Sequence, residues 1–200
     1  MPILGITGGI GTGKSSFATL LSRQMTTTLF DADQCARDLL GGDETVRKLV
    51  RETFGSEVFA QDEGVDRVKL REIVFASEEK RLALEAILHP AIRDQWLSLA
   101  EKERAVGGWL TVDIPLLFET SAGKFFDHVI VVACGALTQM RRLVDTRKLS
   151  HEMAKKIIST QIDLNVKISE ANYVIWNEGS LSALDAQAVL LAKLLKHSHG

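Results

Sequence analysis

Short apolar runs alternate along this chain with longer stretches in which apolar residues recur every three or four positions. That alternation predicts strands joined by helices, and hence a parallel sheet. Strands are expected at Ile3–Thr7, Thr28–Asp31, Trp109–Asp113, His128–Ala133 and Tyr173–Trp176. The run Val129-Ile130-Val131-Val132 has no polar alternation, as expected of a strand covered by helices on both faces. Ser16-Phe17-Ala18-Thr19-Leu20-Leu21 opens an amphipathic helix. Between the second and third strands lie about 75 residues, far more than one crossover helix requires. Val46, Leu49 and Val50, then Leu70, Ile73 and Val74, then Leu84, Ile87 and Leu88 repeat there at helical spacing. Gly41-Gly42-Asp43 reads as a break followed by an N-cap, and Asp62-Glu63-Gly64 as a turn. Pro90 is expected at the first position of a helix carrying Ile92 and Trp96.

A basic stretch from Thr138 to about Asn165 follows the fourth strand and holds Arg141, Arg142, Arg147, Lys148, Lys155 and Lys156. It fits a solvated pair of charged helices. It also fits a lid whose arginines close over a transferred phosphoryl group. The expected class is α/β, with a core of about five parallel strands flanked by helices. Residues 1–33, 107–137 and 167–200 would form that core, 34–106 a helical insertion and 138–166 the lid.

Composition narrows the picture only a little. At 200 residues and 46% hydrophobic content the chain can bury one good core. A net charge of −2 supplies no broad basic field, so charge does not point to a nucleic-acid partner. No apolar run approaches the ~18–20 residues of a membrane helix. Cys35 and Cys134 match no metal-ligand spacing and read as reduced thiols. With no secretory leader ahead of the first strand, a cytoplasmic location is expected. Nothing in the sequence sets an oligomeric state.

The chemistry begins at Gly8-Gly9-Ile10-Gly11-Thr12-Gly13-Lys14-Ser15, which fits G-x-x-x-x-G-K-[ST] between a strand and a helix. Backbone amides freed by glycine can converge on phosphate oxygens, and the helix N-terminus adds partial positive charge. Lys14 would reach the outer phosphates, and the Ser15 hydroxyl would hold Mg²⁺. A nucleoside triphosphate is the expected ligand.

Ligands of open parallel sheets bind at the carboxyl ends of the strands. The second strand ends in Phe30-Asp31-Ala32-Asp33. Asp33 is the candidate base for a hydroxyl acceptor, with Asp31 as a helix-capping alternative. Arg37 shares a helix face with Asp33; it could hold an anionic substrate group or simply form an i,i+4 ion pair. The third strand ends in Asp113, the place of a metal-side carboxylate in many nucleotide hydrolases, and Ile114-Pro115-Leu116-Leu117-Phe118-Glu119 follows as an apolar loop suited to a substrate pocket. His89 reads as a packing or helix-start residue before it reads as a catalyst; His197 and His199 sit in a polar tail.

Taken in order, these stretches resemble the dephospho-CoA kinase family. The likeness covers Gly5 through Ser15, Asp31-Ala32-Asp33 with Ala36-Arg37, His89-Pro90-Ala91-Ile92, Pro115 through Glu119, Gln139 with Arg142-Leu143, and Ala171 through Asn177. It implies transfer of the γ-phosphoryl of ATP to the ribose 3′-hydroxyl of dephospho-CoA. It also implies ATP phosphates held by Gly11, Thr12, Gly13, Lys14, Ser15 and Ser16, with Asp33 as acceptor base and Arg142 in the lid. The acceptor site would draw on Thr7, Asp33, Arg37, His89, Leu116, Leu117 and Phe118. By topology, the loop after the fifth strand, with Asn177 and Gly179, is the candidate adenine contact. Two departures stand out. The family commonly has an arginine four residues after the one matching Arg142, where this chain has Thr146 followed by Arg147. Four residues before Gln161 it often has another, where this chain has Ile157 beside Lys155 and Lys156. A nucleoside monophosphate kinase would share the loop and lid. A guanine-binding switch would carry Asn-Lys-x-Asp, which is missing here.

Overall fold

A computed structural model describes residues 2–60 and 64–199, so Asp62 and Glu63 of the expected turn lie outside the described residues. The flanking residues Phe59 and Val65 form an antiparallel bridge. All five expected strands form, with shifts of one residue at two ends: β1 (Ile3–Gly8), β2 (Thr28–Asp31), β3 (Leu110–Asp113), β4 (His128–Ala133) and β5 (Tyr173–Trp176). They build a parallel sheet in the order β2-β3-β1-β4-β5. The central position of β1 follows from its composition. Every residue in it is buried, and a Cβ on Gly5 would stand 2.8 Å from the side chains of Leu117 and Phe126. The chain leaves β1 towards β2 on one side and later fills β4 and β5 on the other. The carboxyl end of β1 is therefore the switch point where such sheets bind ligands.

One face of the sheet is covered by α1 (Lys14–Met25) and α9 (Leu181–His199). Leu4 and Ile6 of β1 and Ile130 and Val132 of β4 alternate onto this face, against Phe17 and Leu21 of α1. Leu184, Ala188, Leu191, Ala192 and Leu195 form the matching stripe of α9. Each fully buried Leu, Ile or Phe here contributes roughly 1.5–3 kcal/mol of transfer free energy. The core thus anchors the start of α1, where the glycine loop ends.

The chain divides into two compact units, Met1–Asp31 with Leu99–Gly200, and Ala32–Ser98. The second is helical: α2 (Ala32–Gly42), α3 (Glu44–Phe54), α4 (Arg67–Ala76) and most of α5 (Glu78–Ala105). Asp43 caps α3 as its position predicts, its Oδ1 accepting from the Val46 amide at 2.8 Å. Val46, Val50 and Phe54 on one side of α3 are buried.

Pro90 corrects the sequence reading. It does not begin a helix but sits inside α5, a single helix of 28 residues. The missing N–H would have bonded the carbonyl of Ala86, and both residues are exposed, so water can take up that carbonyl. Leu88, Ile92 and Trp96, spaced by four along the opposite, buried side, carry the helix across the interruption.

After β4 the chain forms α6 (Ala136–Arg141), one π-helical turn over Arg142–Thr146, α7 (His151–Ser159) and α8 (Leu164–Ser169). Among the described residues no helix is long and apolar enough to cross a membrane. Neither Cys35 nor Cys134 is in a disulfide.

Candidate active site

The site starts from glycine geometry. Gly11 and Gly13 have φ of 77° and 90°, the left-handed region that side chains resist. A Cβ on Gly8 would strike the Val132 carbonyl of the neighbouring strand. The loop closes on itself: the Thr12 hydroxyl donates to the Gly9 carbonyl at 2.8 Å, and the Thr12 amide reaches the same oxygen at 3.3 Å. Gly13 then begins α1 with no capping side chain and no acidic residue in the first turn. The first amides of α1 carry their partial positive charge with no built-in anion, the arrangement that binds phosphate.

Donors from the far side take up the loop's carbonyls. Asn177, just past β5 and 7% exposed, donates through Nδ2 to the Thr12 carbonyl at 2.8 Å. The Arg142 guanidinium donates to the carbonyls of Thr12 at 3.2 Å, Gly11 at 3.5 Å and Asn177 at 3.0 Å. With the carbonyls of Gly11 and Thr12 occupied there, the uncapped amides at the start of α1 are left for a ligand. Arg142, expected in the lid, thus bonds the glycine loop itself. The π turn brings the Arg147 amide onto the Arg142 carbonyl at 3.2 Å, so Arg147, not Thr146, stands one turn beyond Arg142.

Lys14 and Asp113 form an ion pair at the carboxyl end of β3, with residue exposures of 9% and 3%. Asp113 is also the register partner of Asp31 on β2, so two carboxylates end adjacent strands. Ser15 and Ser16 follow in the first turn of α1 and are exposed. Among the described residues no group of three His, Cys, Asp or Glu side chains could cage a metal. A hydroxyl and a strand-end carboxylate, completed by phosphate oxygens and water, are donors that suit Mg²⁺, which seldom uses an all-protein cage.

On the rim, the exposed Glu178 carboxylate accepts from the Thr138 hydroxyl at 2.6 Å and from the Gly135 amide. The Thr138 bond first, then the Gly135 bond, with Arg142 and Arg141 nearby, hold its carboxyl below the usual range. Burial pushes the Cys134 thiol up, against the pull of Arg142. Gly179 is exposed in the same loop after β5.

The remaining expected residues fall as follows. Thr7 is fully buried, and its hydroxyl donates to the Pro115 carbonyl at 3.1 Å, pinning the loop after β3. Within that loop Leu117 is buried in the core, while Leu116 and Phe118 are half-buried. Asp33, Arg37 and His89 belong to the helical unit. Asp33 is exposed in the first turn of α2. The Arg37 guanidinium sits on Gln34 Oε1, at 3.0 Å from Nε and 2.7 Å from the terminal nitrogen. His89 is half-buried inside α5, not at a helix start, and burial lowers its pKa.

A family model described as dephospho-CoA kinase matches residues 2–183. The chain belongs to the dephospho-CoA kinase family. It is 36% identical over 192 residues to the dephospho-CoA kinase of Bacillus cereus, covering 96% of each chain. Among solved structures it is similar to TT1252 from Thermus thermophilus, with a TM-score of 0.77, 32% identity and coverage of 96% and 97%. It is also similar to the dephospho-CoA kinase from Campylobacter jejuni, with a TM-score of 0.73, 26% identity and coverage of 99% and 98%. The likeness to this family therefore spans the glycine loop, the helical unit and the segment after β4 together.

Sequence reasoning missed two residues that this geometry brings to the loop. Gln139 and Gln161 entered only as family matches, yet both side chains reach the backbone of Ile10. No local pattern marks them, because their partner lies more than 120 positions away.

Proposed function

We propose that this protein transfers the γ-phosphoryl of ATP to the ribose 3′-hydroxyl of dephospho-CoA, giving coenzyme A, in the cytoplasm and with Mg²⁺. The observation that carries the reading is a family match over nearly the whole chain, joined to an uncapped helix N-terminus behind a left-handed glycine loop.

In this reading the amides of Gly11 to Ser16 cradle the phosphates, and Lys14 neutralises the outer ones as charge shifts to the leaving ADP. Arg142 and Asn177 brace the loop's carbonyls, and Asn177 and Gly179 border the adenine. Ser15, with Asp113, would hold Mg²⁺, which draws charge from the β- and γ-phosphate oxygens when bound. Asp33 accepts the proton of the ribose hydroxyl as its oxygen bonds to the γ-phosphorus and the bond to the β,γ-bridging oxygen breaks. Residues 34–106 receive the acceptor, with Arg37 and His89 contributing. Thr7 acts through Pro115 to shape the loop of Leu116, Leu117 and Phe118. Residues 138–166 act as the lid.

The test is acceptor-dependent ADP release from pure protein with ATP, Mg²⁺ and one of dephospho-CoA, AMP or dTMP. Stimulation by dephospho-CoA alone is expected. Stimulation by a monophosphate, or hydrolysis indifferent to the acceptor, overturns the proposal.

A further inference from the structure

Ile10 lies in the glycine loop, and glutamine side chains hold both of its main-chain groups. Its amide donates to Gln161 Oε1 at 2.9 Å, and its carbonyl accepts from Gln139 Nε2 at 2.7 Å. These partners fix the orientation of each side-chain amide, since a peptide N–H meets only oxygen and a carbonyl only N–H. The two glutamines come from opposite ends of the segment after β4. Gln139 is in α6 and 7% exposed, whereas Gln161 lies between α7 and α8 and is half-buried. The residue next to Gln161 is tied as well. The Ile162 amide donates to Glu119 Oε1 at 3.1 Å, and the same oxygen is 2.7 Å from the ammonium of the fully buried Lys167. One dipeptide, Gln161-Ile162, thus joins the phosphate loop to the end of the loop that follows β3.

We propose that Gln139 and Gln161 are positioning residues for the nucleotide: they clamp the two peptide groups that flank Ile10 so that the remaining amides of the loop stay aimed at the triphosphate. A glycine-rich loop has more backbone freedom to lose on binding than other segments. Fixing the two successive peptide groups on either side of Ile10 lowers that cost before the ligand arrives. Because the clamp is made by both ends of the lid segment, a nucleotide that orders the loop also orders the lid. The inference rests on the reading of this loop as the ATP site.

The experiment titrates ATP and Mg²⁺ by calorimetry, without acceptor, into wild type, Gln139→Ala, Gln139→Glu, Gln161→Ala and Gln161→Glu. Salt of about 0.3 M screens the added charge, and each protein's melting temperature is recorded. A glutamate at 161 can still accept from the Ile10 amide, whereas one at 139 turns an oxygen towards the Ile10 carbonyl. Each alanine variant is expected to bind ATP about five- to tenfold more weakly, the loss of one main-chain hydrogen bond. Gln161→Glu should lose less than Gln161→Ala, and Gln139→Glu more than Gln139→Ala. If variants at buried Gln139 do not fold, the Gln161 pair decides alone. Alanine variants that bind ATP like wild type while only their melting shifts overturn the inference, as do glutamate variants that behave alike. A wild-type chain that binds no ATP overturns the nucleotide reading and this inference with it.

Discussion

Lys14 and Asp113 stand 99 positions apart in the chain, yet their ammonium and carboxylate meet at the carboxyl end of β3, both nearly buried. Strand order makes the pair: β3 lies directly beside β1, with Asp113 opposite Ile6, and the loop after β1 brings Lys14 back over that edge. Removing one member of a buried pair strands the other, at about 3 kcal/mol or more. For Asp113→Ala we expect a fall in melting temperature on the order of 10 °C. ATP without Mg²⁺ should raise the variant's melting temperature more than the wild type's, because the triphosphate supplies the anion that Lys14 has lost and no metal ligand is then called on. Unchanged melting of the variant would show that the pair contributes nothing to the fold.

Two glycine substitutions should act in opposite directions. At Gly13 the backbone has φ of 90° and a Cβ would overlap Asn177 Nδ2, breaking its bond to the Thr12 carbonyl. Gly13→Ala is expected to lose about 1–2 kcal/mol in urea unfolding and most of the nucleotide affinity. Gly41 lies within α2 and a Cβ there would meet nothing within 4 Å. Gly41→Ala should gain roughly 0.5–1 kcal/mol with no change in nucleotide binding. The same sign for both variants would refute the backbone argument.

What could be read from residues alone was whatever depends on neighbours in sequence. The β-branched run of β4, the Asp43 cap and the eight-residue glycine loop are local, and each lies where its pattern placed it. Trp109 falls just outside β3 because pattern alone does not define where pairing stops. Pro90 misled because a proline is compatible with a helix interior when the carbonyl it frees faces water, and exposure is not written in the sequence. Arg37 turned to Gln34, three residues back, where the spacing to Asp33 had offered an alternative. The braces of the loop, Arg142, Asn177, Gln139 and Gln161, each reach it across 129 to 165 positions, counted to their nearest loop partners, except the shorter link from Arg142 to Asn177. Such contacts depend on topology, which no window of residues reports.

Asp33 tests the assignment of the base. It is exposed in the first turn of α2, where asparagine also sits well, so Asp33→Asn should melt within a degree or two of wild type. A positioned general base contributes about 10²–10⁴-fold, and turnover with dephospho-CoA should fall by that order while ATP affinity hardly changes. An equal loss of ATP binding would move Asp33 from the acceptor to the metal.

His89 gives the helical unit a pH dependence whose sign can be worked out. Burial lowers its pKa below the ordinary 6.5; Glu85 pulls it up and Arg93 pushes it further down. Near and below pH 6.5 the unfolded chain therefore binds more protons at this site than the folded one. The stabilisation from a neutral His89 is complete above 6.5 and is lost as pH falls through the lowered folded value. Melting temperature should accordingly drop between pH 7 and pH 5, and His89→Gln, which cannot titrate, should make that drop shallower. The comparison isolates His89, because Glu178 titrates at lower pH and is untouched by the substitution. Parallel curves for the two proteins would mean that protonated His89 is accommodated in α5 as readily as the neutral form, and that its burial carries no linkage to folding.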